Sequence, residues 1–201
     1  MKLFTNWHDP TAARAGMRER LPAQTIDRVT EAIEFAQVSH GDQRRPTGVP
    51  YLEHLLEALE VLVTGAGVTD PDVLAAAVLH DVVEDTGVSN DELADRFGPR
   101  VAELVGWVTI PEPGPGEDRQ AVKQASFRRL AGAPRDAILV KLADRISNVQ
   151  TLRNLSPDRQ RSYYAQTVSY IMPLAAGEPW FAAWYSDWQT AHADLADPGP
   201  A

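Results

Sequence analysis

The chain has 201 residues, of which 44% are hydrophobic and 23% are charged, a balance typical of one globular domain with a sizeable core. Its formal net charge of −9 at pH 7 argues against nucleic acid or an anionic membrane as the main partner, because both would repel most of the surface. The chain has no cysteine, which excludes a disulfide framework, a thiolate metal site and a cysteine nucleophile.

The N-terminal residues carry no apolar stretch of the kind found in signal peptides, and no window of the sequence approaches a membrane span. The lack of cysteine is compatible with a reducing compartment. We therefore expect a cytoplasmic protein. We expect residues 1–20 to form an N-terminal extension, residues 21–196 the single domain, and residues 197–201 a frayed tail.

Helical signals fill the first half of the sequence. Apolar residues between 26 and 36 recur at helical spacing, and so do the leucines that follow Pro50. Asp70 followed by Pro71 predicts a helix start, with a capping residue and then proline at the first helical position. Ser89 and its neighbours through residue 92 form a capping box for a short helix that ends at Gly98.

The second half continues in the same way. Apolar residues between 101 and 108 follow the helical period, and the Pro- and Gly-rich stretch at 111–116 predicts a surface loop. We expect a helix at about 118–130, a long apolar helix after Pro134 and another helix after Ser156.

A stripe of tryptophans marks the last predicted helix. Trp180, Trp184 and Trp188 lie four residues apart, and we expect them to dock this helix against the bundle. Because no alternating strand pattern is found, we predict an all-α fold, a single-domain helical bundle.

The most informative stretch is Val-Leu-His-Asp-Val-Val-Glu-Asp-Thr at residues 78–86, at the end of a segment apolar enough to be core. We expect one helix to run through it, so that His80 lies one turn before Glu84. Asp81 then lies one turn before Asp85, so an imidazole and three carboxylates share an edge. Carboxylates that enter a core cost free energy unless they are paired or bind a metal. A metal site is therefore the first hypothesis.

Two residues on other predicted helices can complete a ligand set. His54 and Asp144 both have apolar neighbours. Taken alone, His54 could be a core histidine, and Asp144 could pair with Lys141 or Arg145 on its own helix. Together with the histidine and aspartate at 80 and 81, they would form a two-histidine, two-carboxylate shell that suits manganese, iron or zinc.

Five motifs in order resemble the HD-domain hydrolases, in particular the hydrolase domain of RelA/SpoT homologues and the stand-alone small alarmone hydrolases. They are His-Gly-Asp-Gln-Arg-Arg at 40–45, Gly-Val-Pro-Tyr-Leu-Glu-His at 48–54, Leu-His-Asp-Val-Val-Glu-Asp-Thr at 79–86, the block at 97–109 that begins Phe-Gly-Pro-Arg, and Lys-Leu-Ala-Asp-Arg-Ile-Ser-Asn-Val-Gln-Thr-Leu at 141–152. The resemblance covers roughly residues 26–155 and implies an HD-type helical bundle.

The resemblance also implies roles for individual residues. It assigns four ligands to one divalent metal ion, usually manganese: His54, His80, Asp81 and Asp144. It assigns Glu84 and Asp85 to positioning and activating the attacking water. It assigns the substrate contacts to Arg45 at the base, to Asn148 and Thr151 at the ribose, and to Lys141.

The implied activity is hydrolysis of the 3′-pyrophosphate of guanosine tetra- and pentaphosphate, giving GDP or GTP and pyrophosphate. The partner it implies is a small nucleotide substrate, and the sequence leaves the oligomeric state open. Pro46 and Asn154 depart from the family pattern and leave the base specificity open. The alternatives are an HD phosphatase for another nucleotide, such as a nucleoside monophosphate or the 2′-phosphate of NADPH, and a module that senses a nucleotide without hydrolysing it. The intact Glu84–Asp85 pair favours catalysis.

Overall fold

The computed structural model describes residues 1–196, so the tail predicted at 197–201 lies outside the described residues. Its α-helices, in chain order, are α1 (Pro10–Arg18), α2 (Ala23–His40), α3 (Tyr51–Glu60), α4 (Pro71–Leu79), α5 (Val82–Asp85), α6 (Asn90–Phe97), α7 (Pro99–Val108), α8 (Arg119–Arg129), α9 (Arg135–Val149), α10 (Pro157–Gln166) and α11 (Pro179–Ala191). Segments of π-helix at Val61–Gly65 and Thr167–Ile171 continue α3 and α10. Short 3₁₀ segments are Leu130–Gly132, Leu152–Asn154, Met172–Gly177 and Ala193–Leu195.

The described part of the chain contains no β-strand, and a single isolated bridge joins Arg44 to Pro50 in the loop between α2 and α3. The predicted all-α, single-domain bundle is confirmed. Across residues 1–196, no helix combines the length and the apolar character needed to cross a membrane.

The two predicted caps are present, and the helix predicted from about residue 118 also begins at a capped position. The Asp70 carboxylate accepts the backbone N–H groups of residues 72 and 73 at the start of α4. Ser89 Oγ accepts the N–H of Glu92 in α6, and Asp118 caps α8 in the same way. Each cap satisfies N–H groups that have no partner inside the helix, which is why these starts can be read locally.

Helices α4 and α9 form the centre of the bundle. Every residue of α4 from Val73 to Leu79 is buried, and most of α9 is buried between Ala137 and Val149. α4 packs against α2, α3, α7 and α9, and α9 packs against α3 and α7. A helix that is buried on all sides can carry polar side chains only where they find partners.

The single helix predicted through residues 78–86 is wrong. α4 ends at Leu79, His80 and Asp81 form a turn, and α5 begins at Val82. Asp81 adopts φ −101° and ψ −3°, between the helical and extended regions. In a straight helix the two side chains would point about 100° apart. The turn removes this divergence and aims both at one point.

The tryptophan stripe packs against the bundle, as expected. Trp184 and Trp188 are buried. Trp188 Nε1 donates to the carbonyl of Val149 at 3.0 Å, and Tyr185 donates from its hydroxyl to the carbonyl of Leu142 at 2.8 Å. α11 is therefore joined to α9 through both of these side chains.

The residues before α1 pack against the bundle near the ends of α9 and α3. Phe4 is fully buried and exchanges backbone hydrogen bonds with the side-chain amide of Gln150. The buried carboxylate of Glu60 accepts from Asn6 and from the N–H of Trp7. The N-terminal segment is thus fastened at several points to α9 and α3. The division at residues 20 and 21 stays a prediction.

Candidate active site

Four side chains predicted as metal ligands converge from three parts of the bundle. His54 lies in the first turns of α3, His80 and Asp81 form the turn between α4 and α5, and Asp144 lies in the middle of α9. The Nε2 atoms of His54 and His80 are 3.1 Å apart. Asp81 Oδ2 lies 3.4 and 3.2 Å from these two nitrogens, and Asp144 Oδ1 lies 3.4 and 3.6 Å from them.

The second nitrogen of each histidine is already bound, which fixes the ring. His80 Nδ1 lies 2.8 Å from the carbonyl of Ala77, and a carbonyl can only accept, so Nδ1 carries the proton. His54 Nδ1 lies 2.7 Å from Ser147 Oγ, whose own hydrogen is donated to Glu57. His54 therefore also donates from Nδ1. In both neutral rings the lone pair is on Nε2 and faces the cluster.

The charges at the cluster are strongly coupled. Burial disfavours the charged form of His80, but the carboxylates of Asp81 and Asp144 outweigh it and raise the pKa of His80 well above its usual range. Burial opposes ionisation of Asp144 too, yet Lys141 and the two histidines hold its pKa well below the usual range. The cluster is therefore built to keep two carboxylates ionised beside positive charge.

A divalent cation fits this arrangement. Two lone pairs 3.1 Å apart repel each other unless a cation or proton lies between them. One oxygen or nitrogen from each of His54, His80 and Asp81 lies within 4.8 Å of the other two. Imidazole nitrogens with carboxylate oxygens suit manganese, iron or zinc. The structure thus supports a metal-binding site.

Asp144 is oriented by its own helix. Lys141 Nζ lies 2.7 Å from Asp144 Oδ2, and Asn148 Nδ2 donates to Asp144 Oδ1 at 2.6 Å. Lys141 was predicted to contact substrate, and the structure pairs its buried ammonium with Asp144; a substrate contact stays a prediction.

The predicted catalytic pair lies at the rim of the cluster. Glu84 and Asp85 are exposed and line a cavity of about 260 Å³ together with Arg119 and Lys123 of α8. Desolvation by the surrounding protein and the nearby Asp81 carboxylate raise the pKa of Glu84, although the Ile110 N–H that it accepts at 2.9 Å acts in the opposite direction. A carboxylate with a raised pKa is a better proton acceptor at neutral pH.

A second cavity, of about 380 Å³, reaches the cluster, because His54 is among the residues that line it. Arg45, Asn148 and Thr151 line it too, so the three predicted nucleoside contacts share one cavity. Arg45 donates from Nη1 to Glu57 at 3.0 Å and from Nη2 to Asn148 Oδ1 at 3.4 Å. The N–H edge of the Arg45 guanidinium is therefore occupied, and its flat face remains able to stack on a base.

Three residues that hold the ligands had no role in the sequence analysis. Tyr51 donates to Asp81 Oδ2 at 2.5 Å, and Ser147 with Glu57 orients His54. Each lies three residues from a ligand on the same helix: Tyr51 and Glu57 flank His54 in α3, and Ser147 follows Asp144 in α9. That spacing puts them on the ligand face and is the signal that could have found them.

Known proteins share this architecture. Residues 32–178 match the family described as HD domain. The human guanosine-3′,5′-bis(diphosphate) 3′-pyrophosphohydrolase MESH1 is 39% identical over 130 residues, which are 64% of this chain and 71% of that protein. The protein of the same enzyme name from Aquifex aeolicus (strain VF5) is 38% identical over 158 residues, which are 76% of this chain and 22% of that protein.

A solved structure agrees with these sequence relatives. It is described as a metazoan orthologue of SpoT that hydrolyses ppGpp, and it matches with a TM-score of 0.73 and 28% identity over 82% of this chain and 94% of that one. The chain spans about a fifth of the length of the bacterial relatives, for example 22% of the bifunctional (p)ppGpp synthase/hydrolase SpoT of Escherichia coli (strain K12). Since the HD-domain match covers most of its residues, this chain belongs to the HD-domain family.

Proposed function

We propose that this protein hydrolyses the 3′-pyrophosphate of guanosine tetra- and pentaphosphate, giving GDP or GTP and pyrophosphate, with one divalent metal ion, manganese first. The observation that carries the proposal is what surrounds the ligand cluster. Glu84 and Asp85 lie one helical turn after its residues 80 and 81, and its His54 lines the cavity formed by Arg45, Asn148 and Thr151. Relatives of that enzyme name, 38% and 39% identical to this chain, support the same substrate.

The reaction needs one water and moves two protons. The water oxygen bonds to the phosphorus attached to O3′ of the ribose, and the bond from that phosphorus to O3′ breaks. O3′ takes up a proton and becomes a hydroxyl, so the products are GDP and pyrophosphate. A divalent ion, if held by His54, His80, Asp81 and Asp144, would polarise phosphate oxygens and make a neighbouring water more acidic.

The residues of the chain supply the proton transfer and the orientation. Glu84 takes a proton from the water, for which its raised pKa suits it. The N–H of Ile110 fixes one oxygen of this carboxylate. Asp85 holds the water in line, and Gln43 holds Asp85 through a 2.9 Å hydrogen bond. Holding the reacting groups in the right orientation by itself removes a large part of the activation free energy.

The site recognises the nucleoside part of the substrate by its shape more than by hydrogen bonds to the edge of the base. Asn148 and Thr151 grip the ribose beside the cluster, and Arg45 stacks on the base. Because the N–H groups of Arg45 are partly committed to Glu57 and Asn148, stacking dominates its contact with the base. Stacking accepts any base. We therefore expect the adenosine analogue to be hydrolysed within about tenfold of the guanosine compound, a difference of about 1.4 kcal/mol.

Product analysis by ion-exchange chromatography tests the proposal. Guanosine tetraphosphate with manganese should give GDP and pyrophosphate in equal amounts, and a chelator should abolish the reaction. The same assay should include NADPH and nucleoside monophosphates, since an HD phosphatase for another nucleotide is the alternative enzyme. Orthophosphate as the first product, or no consumption of guanosine tetraphosphate, would overturn the proposal. Binding of the nucleotide without turnover would point to a sensing module.

A further inference from the structure

His40 is a buried histidine outside the proposed ligand set, at the last position of α2. It is 7% exposed. Its ring stacks on Tyr51, with ring centroids 4.8 Å apart and planes at 23°. Its Nδ1 lies 2.8 Å from the side-chain carbonyl oxygen of Gln43. His40 thus contacts two residues, and both of them reach the active site.

The first connection leads to Asp85. Gln43 donates from Nε2 to Asp85 Oδ2 at 2.9 Å. An ionised carboxylate only accepts, so the amide must present its NH₂ group to Asp85 and its oxygen to His40. His40 Nδ1 must then carry the proton. The histidine therefore selects the amide orientation that binds Asp85, a side chain otherwise exposed to solvent.

The second connection leads to Asp81. The ring of Tyr51 stacks on His40 on one side and meets His54 edge-on on the other, with centroids 5.6 Å apart. Its hydroxyl donates to Asp81 Oδ2.

A histidine is a poor choice for this position if it only fills space. Among residues 1–196, His40 Nε2 is buried without a hydrogen-bond partner. An unpaired buried nitrogen costs free energy, because it loses its hydrogen bond to water without gaining another. A phenylalanine would stack on Tyr51 without this cost, so the polar contact with Gln43 is what sets the histidine apart.

We propose that His40 is a positioning residue for the active site, which orients Gln43 against Asp85 and supports Tyr51 against Asp81. The proposal rests on the function proposed above, since it takes the roles of Asp81 and Asp85 from there. His40 touches neither substrate nor metal; it acts through the two side chains that it contacts.

Two substitutions separate the two connections. His40→Phe keeps a ring against Tyr51 but removes the donor to Gln43. We expect kcat to fall about 10- to 100-fold while KM and Mn²⁺ affinity stay as in the wild type, the usual worth of an outer partner. His40→Asn keeps an N–H donor near the place of Nδ1 but loses the stack. We expect its Mn²⁺ affinity to fall about tenfold, with kcat at saturating Mn²⁺ close to the wild type.

His192 offers a matched control. It is also buried, stacks on Trp188 and donates from Nδ1 to the Trp188 carbonyl at 2.8 Å, but it lies near the end of α11. His192→Phe should change thermal stability about as much as His40→Phe and should leave kcat and Mn²⁺ affinity unchanged.

A double-mutant cycle tests whether His40 acts through Gln43. Gln43→Met removes the amide at similar length. If the proposal is right, the double variant His40→Phe with Gln43→Met is no slower than Gln43→Met alone. The proposal would be overturned if the falls in kcat of the two single variants multiplied in the double variant. It would also be overturned if His40→Phe had the kcat of the wild type.

Two measurements distinguish the positioning role of His40 from the proposed function: Mn²⁺ binding and hydrolysis of guanosine tetraphosphate. Calorimetric Mn²⁺ binding needs no substrate. If the wild type did not hydrolyse guanosine tetraphosphate, the proposed function would fall. The positioning role would fall separately, if His40→Asn bound Mn²⁺ as tightly as the wild type.

Discussion

Asp144 takes part in more contacts of the cluster than its position in α9 suggests. It faces both histidines, and Lys141 and Asn148 fix its two oxygens. The sequence could identify Asp144 as a candidate metal ligand only through the family motif. An aspartate in an apolar helix is explained equally well by an ion pair with a neighbouring lysine or arginine. That ion pair, with Lys141, is present as well. In the structure the same side chain makes this ion pair and faces both histidines, as the proposed ligand role requires.

Asp144→Ala should remove the metal. Without this carboxylate the two facing Nε2 lone pairs keep one anionic partner, Asp81, and we expect Mn²⁺ affinity to fall by more than about 100-fold, since even outer partners are worth 10- to 100-fold. Elemental analysis of the purified variant measures it. Asp136→Ala is the control, because that residue lies on the same helix and its carboxylate accepts from Arg100 far from the cluster. Wild-type metal content in Asp144→Ala would refute the ligand assignment.

Glu84→Gln should separate chemistry from binding. We expect metal content and KM to be retained while kcat falls about 10²- to 10⁴-fold, the usual worth of a positioned proton acceptor. Because the folded protein disfavours the charged form of Glu84, the variant should be at least as stable as the wild type. Glu112→Gln is the control, since Glu112 lines the same cavity. A raised KM with unchanged kcat would place Glu84 in substrate binding instead.

The pH dependence follows from the direction of the same shift. A raised pKa keeps Glu84 protonated to a higher pH than an ordinary glutamate, whose pKa is 4.5. The proton acceptor must be ionised, so kcat should fall as pH decreases through this raised value. A kcat profile that stays flat down to pH 4.5 would contradict the assignment.

At the scale of elements, caps are predictable from sequence and breaks inside buried helices are not. Asp70, Ser89 and Asp118 cap helices with contacts two or three residues away, so local sequence contains the whole cause. The turn at His80 and Asp81 has a different origin. It follows apolar residues with no proline or glycine to mark it, and it is held by contacts with α3 and α9.

The cap of α4 can be tested through stability. The Asp70 carboxylate caps α4 and also pairs with Arg100 at 3.0 Å. We expect Asp70→Ala to lower the free energy of unfolding by about 1 kcal/mol at pH 7 in urea titrations. Asp70→Asn retains a capping oxygen and should lose less. Equal losses for the two variants would mean that the charge, not the cap, matters.

The Asp70 contribution should also vary with pH. The hydrogen bonds from Arg100 and from residues 72 and 73 outweigh burial and lower the pKa of Asp70 in the folded state below 3.8. A lowered carboxylate pKa adds stability that is fully present above the unfolded pKa and is lost as pH falls through the folded value. The difference in the free energy of unfolding between the wild type and Asp70→Ala should therefore become smaller below pH 3.8. A constant gap down to pH 2 would contradict this.

At the scale of the molecule, the N-terminal segment belongs with the cavity. Thr5 and Arg45 line the same cavity of about 380 Å³, and Phe4, the neighbour of Thr5, is fully buried against Trp180, with ring centroids 5.8 Å apart. The sequence could not indicate this, because residues 1–9 have no periodic pattern and their partners lie more than 50 residues away. Long-range packing of an irregular segment leaves no local signal.

Phe4→Ala should affect both stability and substrate binding. Removing a fully buried phenylalanine costs about 3–5 kcal/mol, and the loosened segment moves a wall of the cavity. We expect a lower urea midpoint and a raised KM, with metal content unchanged. Leu3→Ala is the control, since Leu3 is 47% exposed. Equal effects of the two substitutions would show that the segment does not anchor the cavity.

The way the N-terminal segment is fastened also has a consequence for synthesis. It is the first part of the described chain to leave the ribosome, yet the carbonyl of Lys2 accepts from Trp184, 182 residues later, and Phe4 binds Gln150. Folding from the N-terminus during translation therefore cannot close this wall of the cavity until the last helix has emerged. We expect a stalled nascent chain ending at residue 166 to be cut readily by protease within its first residues, and the released chain to resist. A half-made molecule would then lack this wall of the cavity, and the wall would be completed only after α11 has emerged.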